Sequence, residues 1–286
     1  MGLDRLTLRG RMLASLAAVA LAATGLAACG GDDDEPQSVA LTLDENGVFQ
    51  APNSAETGLA EIRFENNSNA SADAQLIRVE GNRSPQQVIQ GLNAVIRGTK
   101  YPSWFFGGGG TATTQPGEGK TVTQVLEPGN YFVVNTNADE PPDPATFRPI
   151  EVTGEASDEE LDETDATITT VDYGFETEGD LTAGSNEITF ENTGAQPHHI
   201  IASRLAEGAT IEQAEKFLKA NQPGQGPFAP GAANSDNTAV LEGGTSQNVS
   251  LRLKEPGTYA LYCFITDRQG GPPHVIKGMV DEVEVN

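Results

Sequence analysis

The chain gathers its rarest metal-binding side chains in its last third. All three His residues lie there, as His198, His199 and His274, together with Cys263 and Met279. Imidazole, thiolate and thioether groups bind soft and borderline metal ions, copper among them. A structural reading remains open for each residue, because free Cys and Met are often simply core residues. Whether these side chains can bind one ion therefore depends on where the strands and loops that carry them lie.

The first 28 residues have the pattern of an export signal. A basic start is followed by the apolar run Met12–Ala28, which ends in "LAAC" at Cys29. A membrane-spanning helix needs about 20 apolar residues, so an uncleaved anchor helix is the weaker alternative. The "LAAC" sequence resembles the lipobox of bacterial lipoproteins, which implies that Cys29 is lipidated. We therefore expect an exported protein, lipid-anchored at the cell membrane, in the periplasm or at the cell surface, with residues 29–38 as an acidic tether.

Charge and cysteine content narrow the possible functions. The formal net charge is -24, and it falls to -26 without residues 1–28. An acidic surface repels phosphate backbones, so we expect no nucleic-acid partner. The chain has two Cys residues, and lipidation of Cys29 would leave Cys263 without a disulfide partner. An unpaired thiol in an oxidising compartment needs some other protection.

The chain contains an internal repeat. "GLAEIRFENN" from Gly58 and "GSNEITFENT" from Gly184 align at an offset of 126 residues. Such self-similarity indicates two units of like fold. It predicts one domain at residues 39–153 and a second at 167–286. The strongly acidic residues 154–166 are expected to form a solvated linker between them.

Each repeat combines strand-like runs with one helix. Alternating apolar residues and Gly, Pro and Asn turns predict a mainly β structure. In the first repeat, Ser84 is a predicted helix cap followed by Pro85 at the first helical position. In the second, Thr210 and Gln213 have capping-box spacing. We expect each helix to cover a sandwich edge or end.

The second repeat resembles the blue-copper cupredoxins. "FENTGAQPHHIIA" is followed by "PGTYALYCFITDRQGGPPHVIKGMVDEVEV". In that family one His follows a strand, and Cys, His and Met come from the loop between the last two strands. The resemblance implies two tandem cupredoxin-like Greek-key β-sandwiches, each with one short helix. It also implies one copper ion bound by His198, Cys263, His274 and Met279, with His199 as the alternative to His198.

Residue chemistry agrees with that ligand set. Two imidazoles, one thiolate and a long thioether contact suit both Cu(II) and Cu(I). Adjacent strand residues point to opposite faces, so only one of His198 and His199 can face the ion, and His199 is expected at the surface or an edge. His199 stands where the family often has Asn, which leaves open how the ligand loop is supported. The ten residues between Cys263 and His274 also form a longer loop than small cupredoxins have.

The first repeat serves as an internal control. At its aligned positions His198 becomes Ala72 and Cys263 becomes Asn135. The first domain is therefore expected to be a degenerate copy without copper ligands.

These features predict an electron-transfer protein with an unidentified redox partner. Only His199 remains once His198 and His274 are assigned, too few for a trinuclear copper cluster, and the motifs of zinc proteases and serine hydrolases are missing. The chain is therefore expected not to be an enzyme. The alternative is a copper-free cupredoxin-like lipoprotein with a binding or structural role.

Overall fold

The computed structural model describes residues 35–137, 143, 145–220, 224–231 and 234–286. The chain from Glu35 to Asn286 forms one compact unit. The predicted export signal and Cys29 lie outside the described residues. Within the part of the chain that is described, no helix has the length and apolar character needed to cross a membrane.

Within the described residues, the first repeat folds into nine strands and one helix. Helix α1, Pro85–Ile96, lies between the fifth and sixth strands. The strands are β1 Gln37–Leu43, β2 Phe49–Gln50, β3 Ser54–Glu56, β4 Gly58–Asn66, β5 Ala72–Val79, β6 Phe105–Thr114, β7 Gly119–Leu126, β8 Gly129–Val134 and β9 Arg148–Thr153.

In the part of the second repeat that the structure describes there are eight strands and one α-helix. Helix α2, Ile211–Ala220, follows the fourth of these strands. A short 3₁₀ helix, His274–Lys277, precedes the last strand. The strands are β10 Ala166–Val171, β11 Gly174–Gly179, β12 Gly184–Asn192, β13 Ile201–Arg204, β14 Ser235–Asn237, β15 Thr245–Leu253, β16 Gly257–Tyr262 and β17 Val280–Val285.

Three sheets build two sandwiches. An eight-stranded sheet runs β11-β10-β12-β15-β7-β4-β1-β2 through both repeats. Its β7-β4-β1-β2 half packs on the five-stranded sheet β3-β9-β8-β5-β6, and its other half packs on the four-stranded sheet β14-β13-β16-β17. The two halves join where β15 pairs antiparallel with β7, as at Val249 and Val122. The prediction of a mainly β structure with two tandem β-sandwiches, each with one short α-helix, is confirmed.

Alternation of side chains explains why the sandwiches form. In β12, Ile188 and Phe190 are fully buried, while Glu187 and Glu191 point outward. Successive side chains of a strand face opposite sides, so each such strand gives one apolar face to the core. A single apolar cluster runs through both sandwiches and includes Cys263.

The predicted helix caps are present. The Ser84 side chain accepts a hydrogen bond from Gln87 N–H, and the Gln87 side chain accepts one from Ser84 N–H. Thr210 and Gln213 exchange the same two bonds, at 3.4 and 3.2 Å. These bonds satisfy amides that the first helical turn leaves free.

Of residues 154–166, predicted as a linker, residues 154–165 contain no strand or helix, whereas Ala166 is the first residue of β10. Residues 154–165 connect β9 to β10 and are mostly exposed. One contact returns to the first sandwich, where Glu159 Oε2 accepts a hydrogen bond from Leu59 N–H at 3.0 Å. The boundaries 39–153 and 167–286 themselves remain predictions.

Candidate metal centre

His198 is positioned by the backbone of a neighbouring segment. Its N–H donates to Leu241 O and its C=O accepts from Leu241 N–H, both at 2.9 Å. This short antiparallel bridge joins the connection between β12 and β13, which carries His198, to the connection between β14 and β15, which carries Leu241. It fixes the His198 backbone beside the core without a long strand.

The other three predicted ligands come from the connection between β16 and β17. Cys263 directly follows β16, His274 opens the 3₁₀ helix and Met279 directly precedes β17. Backbone bonds fold this connection, from His274 N–H to Ile265 O at 2.8 Å and from Met279 N–H to His274 O at 3.1 Å. A left-handed Gly278, with φ +101°, ends the 3₁₀ helix and turns the chain toward Met279.

Three predicted ligands meet at one buried point. One nitrogen of His198, one of His274 and the sulfur of Cys263 lie within 4.8 Å of one another. The two Nδ1 atoms are 3.1 Å apart, and Cys263 Sγ lies 3.7 Å from His274 Nδ1. All three side chains are 0 % exposed. Met279 is equally buried and belongs to the same apolar cluster as Cys263.

Burial determines the protonation of these groups. It lowers the pKa of His198, and it lowers the pKa of His274 to about 4, with a further lowering from the nearby His198. Both imidazoles are therefore neutral at pH 7, the form that binds metals. Burial also raises the pKa of the Cys263 thiol to about 12. Without a metal ion the thiol keeps its proton at neutral pH.

The donor set is suited to one copper ion. Two Nδ1 lone pairs that face each other at 3.1 Å repel unless a proton or a cation lies between them. Two imidazoles and a thiolate are also the equatorial ligands of type 1 copper sites. The His198, Cys263 and His274 cluster can thus hold a type 1 copper ion in the second sandwich.

His199, which was expected at the surface or an edge, is half-buried. Its Nε2 accepts a hydrogen bond from Phe264 N–H at 3.0 Å. Burial lowers the pKa of His199 to about 3, so the ring is neutral and carries its proton on Nδ1. His199 therefore supports the residue that follows Cys263. This contact resolves how the start of the ligand loop is held.

The sequence did not reveal the polar residues behind the ligand rings. Asp267 Oδ1 lies 3.1 Å from His274 Nε2 and 3.0 Å from Tyr173 Oη, and its other oxygen pairs with Lys277. The Tyr173 ring packs edge-on against the His274 ring, with centroids 5.4 Å apart. A carboxylate at Nε2 holds the proton there and leaves Nδ1 free for a metal.

Asp267 keeps its charge in this setting. Burial would raise the pKa of the carboxyl, but hydrogen bonds from Lys277 and Tyr173 outweigh burial and lower it. Behind the other ring, Asp172 Oδ1 lies 3.6 Å from His198 Nε2. The one sequence signal for Asp267 was its place inside the ligand loop.

The first sandwich keeps the support but not the ligands. Ala72 and Asn135 stand at the positions of His198 and Cys263. Asp73 Oδ1 accepts a hydrogen bond from Thr136 N–H at 2.6 Å, in the place of the His199 and Phe264 pair. The local hydrogen bond thus persists where the side chains of His198 and Cys263 are replaced.

No protein-family model and no curated protein sequence matches the chain. Solved structures do match. A dithionite-reduced auracyanin from Roseiflexus castenholzii is 23% identical with a TM-score of 0.27, and the match covers 42% of this chain and 94% of that one. A blue copper oxidase from Nitrosomonas europaea is 14% identical with a TM-score of 0.25, over 88% and 86%. A copper nitrite reductase from the same organism is 13% identical with a TM-score of 0.23, over 88% and 94%.

The described residues form two β-sandwiches, and the second contains a buried His and Cys cluster that could bind a copper ion. One sequence-based expectation needs correction. The chain was expected not to be an enzyme, but the matching structures include oxidases and a nitrite reductase, which are enzymes. The count of His residues excluded only one type of copper cluster, and it does not decide whether the protein is an enzyme.

Proposed function

We propose that this chain is an envelope-anchored type 1 copper protein that transfers electrons through one Cu(II)/Cu(I) ion. The proposed ligands are His198, Cys263, His274 and Met279. The observation that carries the proposal is the meeting of two Nδ1 atoms and one thiol at a fully buried point, from residues 76 and 11 positions apart. Copper supplies the one-electron chemistry when bound.

The surroundings of the site favour electron transfer. Backbone hydrogen bonds and the buried core fix the ligand residues, so little rearrangement accompanies a change of charge on the ion. Phe264 and Ile276, each next to or near a ligand in sequence, are exposed by 41% and 38%. They give a redox partner an apolar contact close to the site.

Copper binding should be visible and should release one proton. We expect the protein without residues 1–29 to turn intensely blue with Cu(II), through thiolate-to-copper charge transfer. Since the Cys263 thiol has a pKa of about 12, it must give up its proton when it binds the ion. The neutral imidazoles give up none. Titration with Cu(II) at pH 7 in weak buffer, followed by a pH indicator, should show about one proton per ion.

The same titration addresses the competing function. A colourless protein that binds no copper would favour a copper-free binding or structural module. Stoichiometric copper without colour, and without proton release, would place the ion away from Cys263. Either result would contradict the proposed site.

Anchoring is the second part of the proposal and rests on the "LAAC" sequence at Cys29. Bacteria that express the full chain should incorporate labelled fatty acid into it and retain it with the membrane fraction. Cys29→Ser should lose the label and lose membrane retention. Labelling of the variant to the level of the natural chain would argue against Cys29 as the lipidated residue.

A further inference from the structure

The ligand loop, the ten residues between Cys263 and His274, packs against the first sandwich. Two backbone hydrogen bonds join it to the segment after α1, from Tyr101 N–H to Arg268 O at 2.8 Å and from Gly271 N–H to Gly98 O at 2.9 Å. The Tyr101 hydroxyl donates to Thr266 O at 2.9 Å, and this phenol is buried. The middle of the loop is therefore bonded to a repeat that lacks copper ligands.

The two backbones approach so closely that only glycine fits between them. A Cβ on Gly270 would lie 2.8 Å from Gly98 O and 2.9 Å from Lys100 N. A Cβ on Gly98 would lie 2.6 Å from Gly271 O. Real Cβ atoms essentially never come within 3.0 Å of such atoms. Any side chain at either glycine would push the loop and the sandwich apart.

Arg268 extends this contact through its side chain. Its guanidinium donates to Phe105 O at 3.0 Å, stacks over the Phe106 ring at 4.6 Å and pairs with Glu242 at 2.9 Å. Its backbone N–H donates to the Gln196 side chain at 2.9 Å, two residues before His198. Arg268 thus connects the first sandwich with the segments that carry both His ligands.

We infer that the first sandwich supports the ligand loop and holds it in copper-binding geometry before the ion binds. As a statement about copper, the inference rests on the proposed function. Ordering the backbone of a ten-residue loop costs conformational entropy, which favourable contacts must offset. The contacts from Gly98 and Tyr101 offset part of this entropy cost. Tyr101 is then a positioning residue that acts without touching the metal.

The first test compares two glycine substitutions in the protein without residues 1–29. Gly270→Ala combines a left-handed φ of +81° with the clash against the first sandwich. Gly208→Ala, the control, has a φ of +77° and no atom within 4 Å. Both carry the same backbone strain, but only Gly270→Ala should displace the loop. We expect it to release copper to a chelator about 10–100-fold faster and to shift the charge-transfer band, while Gly208→Ala matches the natural protein.

A second pair of variants, with smaller changes, keeps the inference testable if Gly270→Ala does not fold. Tyr101→Phe removes one hydroxyl from the loop contact. Tyr131→Phe removes one from the first sandwich, where Tyr131 Oη donates to Glu127 O at 3.1 Å, away from the loop. A lost buried hydrogen bond corresponds to a factor of about five to ten. Copper release should speed up by that factor in Tyr101→Phe and stay unchanged in Tyr131→Phe.

Amide hydrogen exchange in the metal-free protein tests support of the loop by the first sandwich independently of the proposed function. The N–H groups of His274 and Val275 bond to loop carbonyls, and Tyr101→Phe should speed their exchange about five- to tenfold relative to Tyr131→Phe. Equal exchange and equal copper release in the two Tyr variants would contradict the inferred support of the loop. If the natural protein with Cu(II) lacked the thiolate band, the proposed function would be wrong. The exchange result would still show whether the first sandwich supports the loop.

Discussion

Replacing Cys263 by Ser is expected to abolish the blue charge-transfer band completely. The band requires a thiolate bound to Cu(II), and this is the only Cys among the described residues. The variant should also bind Cu(II) more weakly, by more than the roughly 100-fold that loss of an outer-sphere partner costs. The added hydroxyl at this fully buried position should reduce the free energy of unfolding by about 1–3 kcal/mol, which leaves the fold intact. Absorption and copper titration measure the first two effects, and chemical denaturation measures the third.

Met279→Leu is the matched control for that variant. Met279 belongs to the same buried cluster, and a Met-to-Leu exchange nearly conserves volume. With the thiolate in place this variant should remain blue. If colour survived in Cys263→Ser, or vanished equally in Met279→Leu at unchanged copper content, the role given to Cys263 would be wrong.

Replacing Asp267 by Asn is expected to raise the reduction potential of the copper ion. The Asp267 carboxylate lies 3.1 Å from His274 Nε2, and its negative charge stabilises Cu(II) more than Cu(I). Outer partners of metal-bound His typically contribute 10–100-fold to metal affinity. A loss of that size confined to Cu(II) corresponds to a rise of about 60–120 mV for one electron. Potentiometric titration followed at the charge-transfer band measures it.

Asp180→Asn controls for the change in net charge. Asp180 is exposed in the same sandwich and has no described contact with the candidate site. Its replacement should leave the potential within a few millivolts, since exposed charges are screened. Equal shifts in both variants would show that Asp267 acts only through overall charge. No shift in either would remove the proposed influence of Asp267 on His274.

Local patterns explain why so much of the fold could be predicted. Alternation gave the strands, and the spacing of Ser84 and Gln87 gave the first helix cap, because both are set by neighbours in the chain. The repeat gave the number of sandwiches. The candidate ligands were found because Cys263 and His274 lie in one connection and because His is so rare here.

Contacts between distant segments could not be predicted in the same way. Tyr101 and Thr266 are 165 residues apart, and no local pattern relates them. The pairing of β15 with β7 is likewise a choice between many possible edges. The support from His199 was missed for a different reason: alternation placed its ring outside, whereas the segment around His198 is only an isolated bridge.

The shared eight-stranded sheet means that the repeats cannot be separated without cost. A cut between them would uncover residues 122–124 of β7 on one fragment and residues 247–249 of β15 on the other, and would leave N–H and C=O groups there without strand partners. Such bare strand edges recruit other chains and promote aggregation. The first repeat therefore covers part of a strand edge of its neighbour that would otherwise be open to pairing with other chains.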